Sequence, residues 1–202
     1  MKKYNNLAVF GDSLVACENL QKNKRWTELI KKKLKKKNKK FKIKTYAFNG
    51  ITTLDALKIM KYKPKDNTIL IFLLGANDST YYKSLNGKPR VSLENFKKNY
   101  TKLVKKFKKR NCKSFLINGH KFSRKRLEGN KKTHNKSYLN YKFKLRQIAS
   151  KTKSEIIDTY TKLGKFSAKS YCLRSPDEIH QNIFGSKIYF KIIYKKIERY
   201  FV

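Results

Sequence analysis

Four short stretches of this chain hold residue types that together could run an acyl transfer. Ser13 stands in Gly11-Asp12-Ser13-Leu14, directly after the apolar run from Leu7 to Phe10. Gly50 follows Asn49, and Asn77 lies within Gly75-Ala76-Asn77-Asp78. Near the other end, Asp177 precedes His180 by three residues. A hydroxyl, an imidazole beside a carboxylate, a glycine N–H and an asparagine amide are the parts of such a site: nucleophile, base, orienter and oxyanion donors. Each residue also has a plainer role open to it. Ser13 could be a turn or cap serine braced by Asp12, and Gly50 could merely end a strand. Asn77 could occupy a left-handed turn, and His180 could open a helix with its ring in solvent.

To meet, these residues must sit on loops at one edge of a scaffold. Strand-like and helix-like patterns alternate along the chain, which points to a parallel sheet flanked by helices. Residues 6–11 read as a buried strand. Trp26, Leu29, Ile30 and Leu34 recur at helical spacing in a lysine-rich segment over 26–40. Residues 41–48 alternate like a strand with the basic residues on one face. A short helix is expected over 52–62, where Thr52 and Asp55 resemble a capping box. The apolar run at 68–75 predicts a central strand buried on both faces. Leu93, Phe96, Tyr100, Leu103 and Phe107 form one stripe of a helix over 92–110. A fourth strand over 114–120, a basic surface excursion over 121–136 and a helix over 137–151 follow. A fifth strand over 155–160, a loop and a last helix over 183–200 complete the chain. The pattern predicts a three-layer α/β/α arrangement with a five-stranded parallel sheet and about five helices, one domain over residues 1–202. Ligands bind at the carboxyl ends of such strands. There the loops after the first three strands present Ser13, Gly50 and Asn77, and the loop before the last helix presents Asp177 and His180.

Block by block, Phe10-Gly11-Asp12-Ser13-Leu14, Asn49-Gly50, Gly75-Ala76-Asn77-Asp78 and Asp177-Glu178-Ile179-His180 resemble the motifs of the SGNH, or GDSL-type, esterase and lipase superfamily. The resemblance runs over essentially the whole chain, in the expected order. It implies a flavodoxin-like topology and a serine esterase in which Ser13, His180 and Asp177 are catalytic. The oxyanion hole would use the N–H groups of Ser13 and Gly50 and the Asn77 amide, with Gly11, Asp12 and Gly75 supporting the motifs. No metal or organic cofactor is implied. The Gly75–Asp78 block followed by a helix with an acidic start, and Trp26 opening the first long helix, are similar to the isoamyl-acetate-hydrolysing branch. One block departs from the pattern: the usual Asp-Gly-x-His reads Asp-Glu-Ile-His, which sets Glu178 beside the site. Glu178 is also an alternative carboxylate partner, though it matches the family pattern less well. His120 ends the fourth strand and could be structural or pocket-lining; Cys17 reads as a packed small hydrophobe.

Composition bounds what else the chain could be. With 202 residues, 39% hydrophobic and 13% aromatic, it is long enough for one α/β core. Its longest apolar run, Ile69 to Leu74, is too short to span a bilayer. The basic start lacks the apolar centre and cleavage site of a signal peptide, so a cytoplasmic location is expected. Three cysteines without Cys-x-x-Cys spacing suggest neither a disulfide framework nor zinc, and three scattered histidines suggest no metal cluster.

The net charge of +39 invites a nucleic-acid reading. The excess is mostly lysine spread through every helix, which reads better as a solvated surface with non-specific attraction to polyanions. Two functions follow. One is a hydrolase of small or medium carboxylic esters, whose substrate could be a short-chain ester, an acetylated sugar, a lysolipid or a thioester. The loops 15–24, 79–91 and 121–136 would shape its pocket, and Lys88, Arg90, Arg124 and Arg126 hint at an anionic or polyhydroxylated substrate. The other is a polyanion-binding protein on the same scaffold, although no nucleic-acid recognition motif stands out. Oligomeric state is left open.

Overall fold

The computed structural model describes residues 4–63, 65–82, 86–109 and 111–201. Five parallel strands, β1 (Asn6–Gly11), β2 (Lys42–Ala47), β3 (Thr68–Leu73), β4 (Lys113–Ile117) and β5 (Glu155–Ile157), form one sheet in the order β2-β1-β3-β4-β5. This is the flavodoxin-like order, with its crevice at the carboxyl ends of the strands. Between the strands run α1 (Ser13–Ala16), α2 (Trp26–Lys37), α3 (Thr53–Ile59), α4 (Leu93–Phe107) and α5 (His134–Thr152). After β5 come α6 (Thr159–Leu163), α7 (Ala168–Tyr171) and α8 (Ile183–Ile197). Helices α3, α4 and α5 pack side by side as one layer, and α2 pairs with α8 as the other.

The core follows from the apolar runs. All six residues of β3 are buried, as a strand covered on both faces requires. A row of rings crosses the sheet: Phe10 stacks on Phe72 of β3 and on Tyr46 of β2, with centroids 4.9 and 5.2 Å apart. From α4, the expected stripe buries Phe96, Tyr100, Leu103 and Phe107, while Leu93 is partly covered. The capping box of α3 is present, with the Thr52 side chain accepting from the Asp55 N–H and the Asp55 carboxylate accepting from the Thr52 N–H.

Several boundaries differ from expectation for local reasons. The helix expected at 137 begins at His134, because the Thr133 hydroxyl accepts the Lys136 N–H and caps it. The fifth strand stops at Ile157, since Asp158 turns its carboxylate to the Thr161 N–H and opens α6 in what was expected to be strand and loop. The basic stretch 121–136 is not wholly a surface excursion, because Phe122 is buried against His134 and Tyr138. Arg110, at the end of the helix expected over 92–110, and residues 83–85 of the loop expected to shape the pocket lie outside the described residues. Among the described residues no helix is long and apolar enough to cross a membrane.

Candidate active site

The chain leaves β1 and enters α1 with no residue to spare, and Gly11 makes that possible. A Cβ there would stand 2.2 Å from Val15 Cγ2 and 2.6 Å from the Leu73 carbonyl oxygen, so no larger residue fits. Asp12 then caps α1, its Oδ1 accepting the Leu14 N–H at 2.9 Å. Ser13 is the first residue of that helix and is half-buried at the carboxyl end of the sheet.

From the far end of the sequence, the turn before α8 brings Asp177 and His180 to the same place. Asp177 Oδ1 accepts the N–H groups of Ile179 and His180 at 2.8 and 2.7 Å, which fixes its carboxylate. Its Oδ2 accepts from His180 Nδ1 at 2.6 Å, and His180 Nε2 lies 2.7 Å from Ser13 Oγ. With Nδ1–H donated to the carboxylate, Nε2 carries the lone pair that faces the serine hydroxyl. Burial works against the Asp177 charge, but the hydrogen bonds from His180 and Ile179 outweigh it and hold its pKa below the ordinary value.

Gly50 and Asn77 close the ring. Gly50 sits at φ +71°, a left-handed conformation that favours glycine, and a Cβ there would meet nothing within 4 Å. The Asn77 amide donates to the Ile51 carbonyl at 3.0 Å and makes a longer contact of 3.4 Å to Asp12 Oδ2. Ser13, Gly50, Asn77, Asp177 and His180 share one cavity of about 340 Å³ with Glu18, Asn19 and Asn49. Every one of these eight residues is polar or glycine. The Asn49 amide and the Glu18 carboxylate are hydrogen-bonded to each other across the cavity wall.

Beneath the cavity lie two buried carboxylates. Asp78 accepts the Thr53 N–H and hydroxyl, joining the Asn77 turn to the start of α3. Burial pushes Asp12 up to about 7, aided by the nearby Asp78 charge and opposed by the Leu14 N–H, and burial raises Asp78 to about 6.

Some bracing residues give no signal in the sequence. The Leu14 carbonyl accepts from Trp26 Nε1 at 3.0 Å and from Gln181 Nε2 at 2.7 Å. That one oxygen ties the helix of Ser13 to α2 and to the residue after His180. His134 Nε2 donates to the Ala76 carbonyl at 2.9 Å and steadies the Asn77 turn. Motif spacing could not have found Gln181 or His134, because both act through backbone carbonyls of distant segments.

The other expected neighbours fall elsewhere. His120 is fully buried and does not line the cavity; its ring meets the Ile179 carbonyl and the Tyr189 hydroxyl. Cys17 is buried at the end of α1, its thiol donating to Leu14 O, and burial pushes it up to about 12. Glu178 takes φ +56° and does not line the cavity. Of the cations, Lys88, Arg90, Arg124 and Arg126 are likewise absent from its wall. Arg90 instead donates to the Gly50 carbonyl at 2.9 Å, and Arg124 to the Pro176 carbonyl at 3.1 Å. Both guanidinium groups brace the backbone of the site loops.

The sequence profile of the GDSL-like Lipase/Acylhydrolase family matches residues 9–188. Among solved structures, the acetyl xylan esterase AlAXEase is similar with a TM-score of 0.75 at 17% identity, over 95% of this chain and 99% of that one. An acetyl xylan esterase from Geobacillus stearothermophilus gives 0.74 at 16% identity, over 100% and 98%. The psychrotrophic esterase EstA from Pseudoalteromonas sp. gives 0.71 at 20% identity, over 97% and 98%. No curated protein matches the chain in sequence.

Proposed function

Since the chain belongs to the GDSL-like lipase/acylhydrolase family and is thereby a carboxylic ester hydrolase, we propose that it cleaves short-chain acyl esters through an acyl-enzyme on Ser13. The relay of 2.7 Å from Ser13 Oγ to His180 Nε2 and 2.6 Å from His180 Nδ1 to Asp177 carries this reading. Ser13 Oγ attacks the ester carbonyl as its proton passes to His180 Nε2, and Asp177 stabilises the imidazolium. The oxyanion accepts hydrogen bonds from the Ser13 and Gly50 N–H groups and from Asn77. The long 3.4 Å contact to Asp12 is the one the Asn77 amide exchanges for the oxyanion. As the tetrahedral intermediate collapses, the imidazolium returns its proton to the departing alkoxide and an alcohol leaves. Water, deprotonated by His180, then attacks the acyl carbonyl, and the imidazolium returns that proton to Ser13 Oγ as the acid is released.

The cavity wall supports the choice of substrate. A long acyl chain needs an apolar channel, and all eight wall residues are polar or glycine. An acetyl group on a polyhydroxylated alcohol suits that wall, and two of the similar structures are named as acetyl xylan esterases. An acetate ester of a small plain alcohol, the substrate class of the branch resembled in sequence, meets the same size limit but leaves the polar wall unused. Lysolipid and long-chain thioester substrates are disfavoured on the same ground.

The test is hydrolysis of p-nitrophenyl acetate, butyrate and octanoate by the purified chain, beside Ser13→Ala. The expected result is acetate turnover well above octanoate, abolished in the variant. Octanoate turned over as fast as acetate would remove the short-acyl reading, and activity surviving Ser13→Ala would remove the serine mechanism.

A further inference from the structure

At the opposite end of β1 from Ser13, roughly 16 Å along the strand at about 3.3 Å per residue, lies a second cavity of about 340 Å³. Lys42, Lys44, Lys61, Lys63 and Lys65 line it. Lys42 and Lys44 lie on one face of β2, the edge strand, about 6.6 Å apart by strand geometry. The other three come at every second residue of the segment after α3. Among the described residues no Asp or Glu lines this cavity, and none of the five lysines has an ion-pair partner.

The floor is rigid. Tyr46 stacks on Phe10 at 5.2 Å with 10° between the ring planes. Tyr62 packs edge-on against both rings, at 5.2 and 5.5 Å. Both tyrosines belong to the cavity wall, so the lysine stems rise from a preformed surface rather than from a mobile tail.

Lysine on an edge strand discourages pairing with another chain, which accounts for Lys42 and Lys44. It leaves Lys61, Lys63 and Lys65, which lie outside that strand, unexplained. Gathering five like charges around one small cavity is unfavourable unless an anion neutralises them. By contrast Lys32, Lys33 and Lys36 are exposed on α2 and line neither this cavity nor that of Ser13.

We propose that this groove is a binding site for a small polyphosphate, a ligand carrying several phosphate groups in a row, free or as part of a nucleoside triphosphate. Ammonium groups are strong point-charge partners for phosphate oxygens. Five of them around one cavity suit a run of several phosphates better than a single one. The cavity volume admits a small molecule of that kind. The site is independent of the esterase chemistry.

The experiment is calorimetric titration of the full chain with sodium tripolyphosphate and, separately, with ATP, at near-physiological salt, which screens the diffuse attraction of a chain of net charge +39. The wild type is compared with K42Q/K44Q/K63Q and with K32Q/K33Q/K36Q, which removes the same charge from α2. Saturable binding is expected in the wild type and the α2 variant, weakened at least about tenfold in the groove variant. Higher affinity for ATP would identify a nucleoside triphosphate, and equal affinity the phosphate run alone. Equal weakening in the two variants, or no saturable binding in the wild type, would overturn the proposal. If thermal melting shows the groove triple variant unfolded, K63Q alone against K33Q alone makes the same comparison at smaller amplitude.

Discussion

His120 Nε2 lies 2.8 Å from the carbonyl oxygen of Ile179, the residue directly before His180. A carbonyl only accepts, so Nε2 carries the hydrogen and Nδ1 accepts from the Tyr189 hydroxyl at 2.7 Å. Burial holds this imidazole down to about 4, so it is a neutral donor at ordinary pH. Its work is positional: the buried segment that follows β4, which ends at Ile117, is fastened to the turn that presents Asp177 and His180.

Replacing His120 should therefore move the base rather than the pocket. His120→Ala is expected to lower kcat by about ten- to a hundredfold with a smaller change in KM, as misplacing a catalytic group does. His120→Gln, whose amide can still donate to Ile179, should recover part of the loss. Steady-state kinetics on the acetate ester separates the two. Equal losses in kcat from Ala and Gln would count against the positional role.

Asp177→Asn keeps an oxygen to accept the Ile179 and His180 N–H groups, so the turn should hold its shape. The new amide would face His180 Nδ1 as a donor and force the ring hydrogen onto Nε2, where it blocks proton transfer from Ser13. A fall of about 10⁴ in kcat/KM with unchanged thermal stability is expected. Activity within tenfold of the wild type would deny Asp177 that role.

The buried Asp12 should leave a mark on stability. Its pKa is pushed up to about 7 in the fold, above the ordinary value of 3.8. The folded state therefore binds the proton more tightly, and stability is lost as pH rises from about 4 to 7. His120 and His134, both held near 4 by burial, act in the opposite sense and lose stability as pH falls from 6.5 towards 4. Asp12→Asn retains a cap for Leu14 and removes the Asp12 contribution, while Asp78, raised to about 6 by burial, still acts in the same sense as Asp12 did. Urea midpoints should rise more steeply with pH between 4 and 7 than in the wild type. The gain at pH 8 is on the order of a few kcal/mol at most.

Glu178 occupies the left-handed region at φ +56°, at the position where the resembled family carries glycine. A side chain there is strained by about 1–2 kcal/mol. The greater unfolded-state freedom of glycine returns about 0.4–1 kcal/mol of that. Glu178→Gly should thus raise stability by up to about 1 kcal/mol, read as an increase in Tm, with little change in kcat because Glu178 is off the cavity wall. A clear loss of stability would mean its carboxylate has a structural task.

Much of this is legible in the sequence. β1 runs from Asn6 to Gly11 as expected, because an apolar run ending in Gly-Asp-Ser has few other outcomes. β3 and the stripe of α4 were equally plain from their periodicity. Where reading failed, a single polar side chain overruled a pattern: Asp158 ended β5 early, and Thr133 began α5 early. The four motif blocks converge at the carboxyl edge of the sheet, yet Gln181, His134 and the guanidinium of Arg90 were invisible as partners. Each works by meeting a carbonyl oxygen, which every residue has and no motif distinguishes.

The hydrogen bond between Ser13 and His180 joins residues 167 apart in the chain. Loops of that length close late and slowly, since their entropy must be spent before their contacts reward it. During refolding, local structure such as α4 and α5 can form early, and even the β1–β3 pairing needs a far shorter closure. Ester hydrolysis regained on dilution from urea accordingly reports when the turn before α8 has docked onto the end of β1.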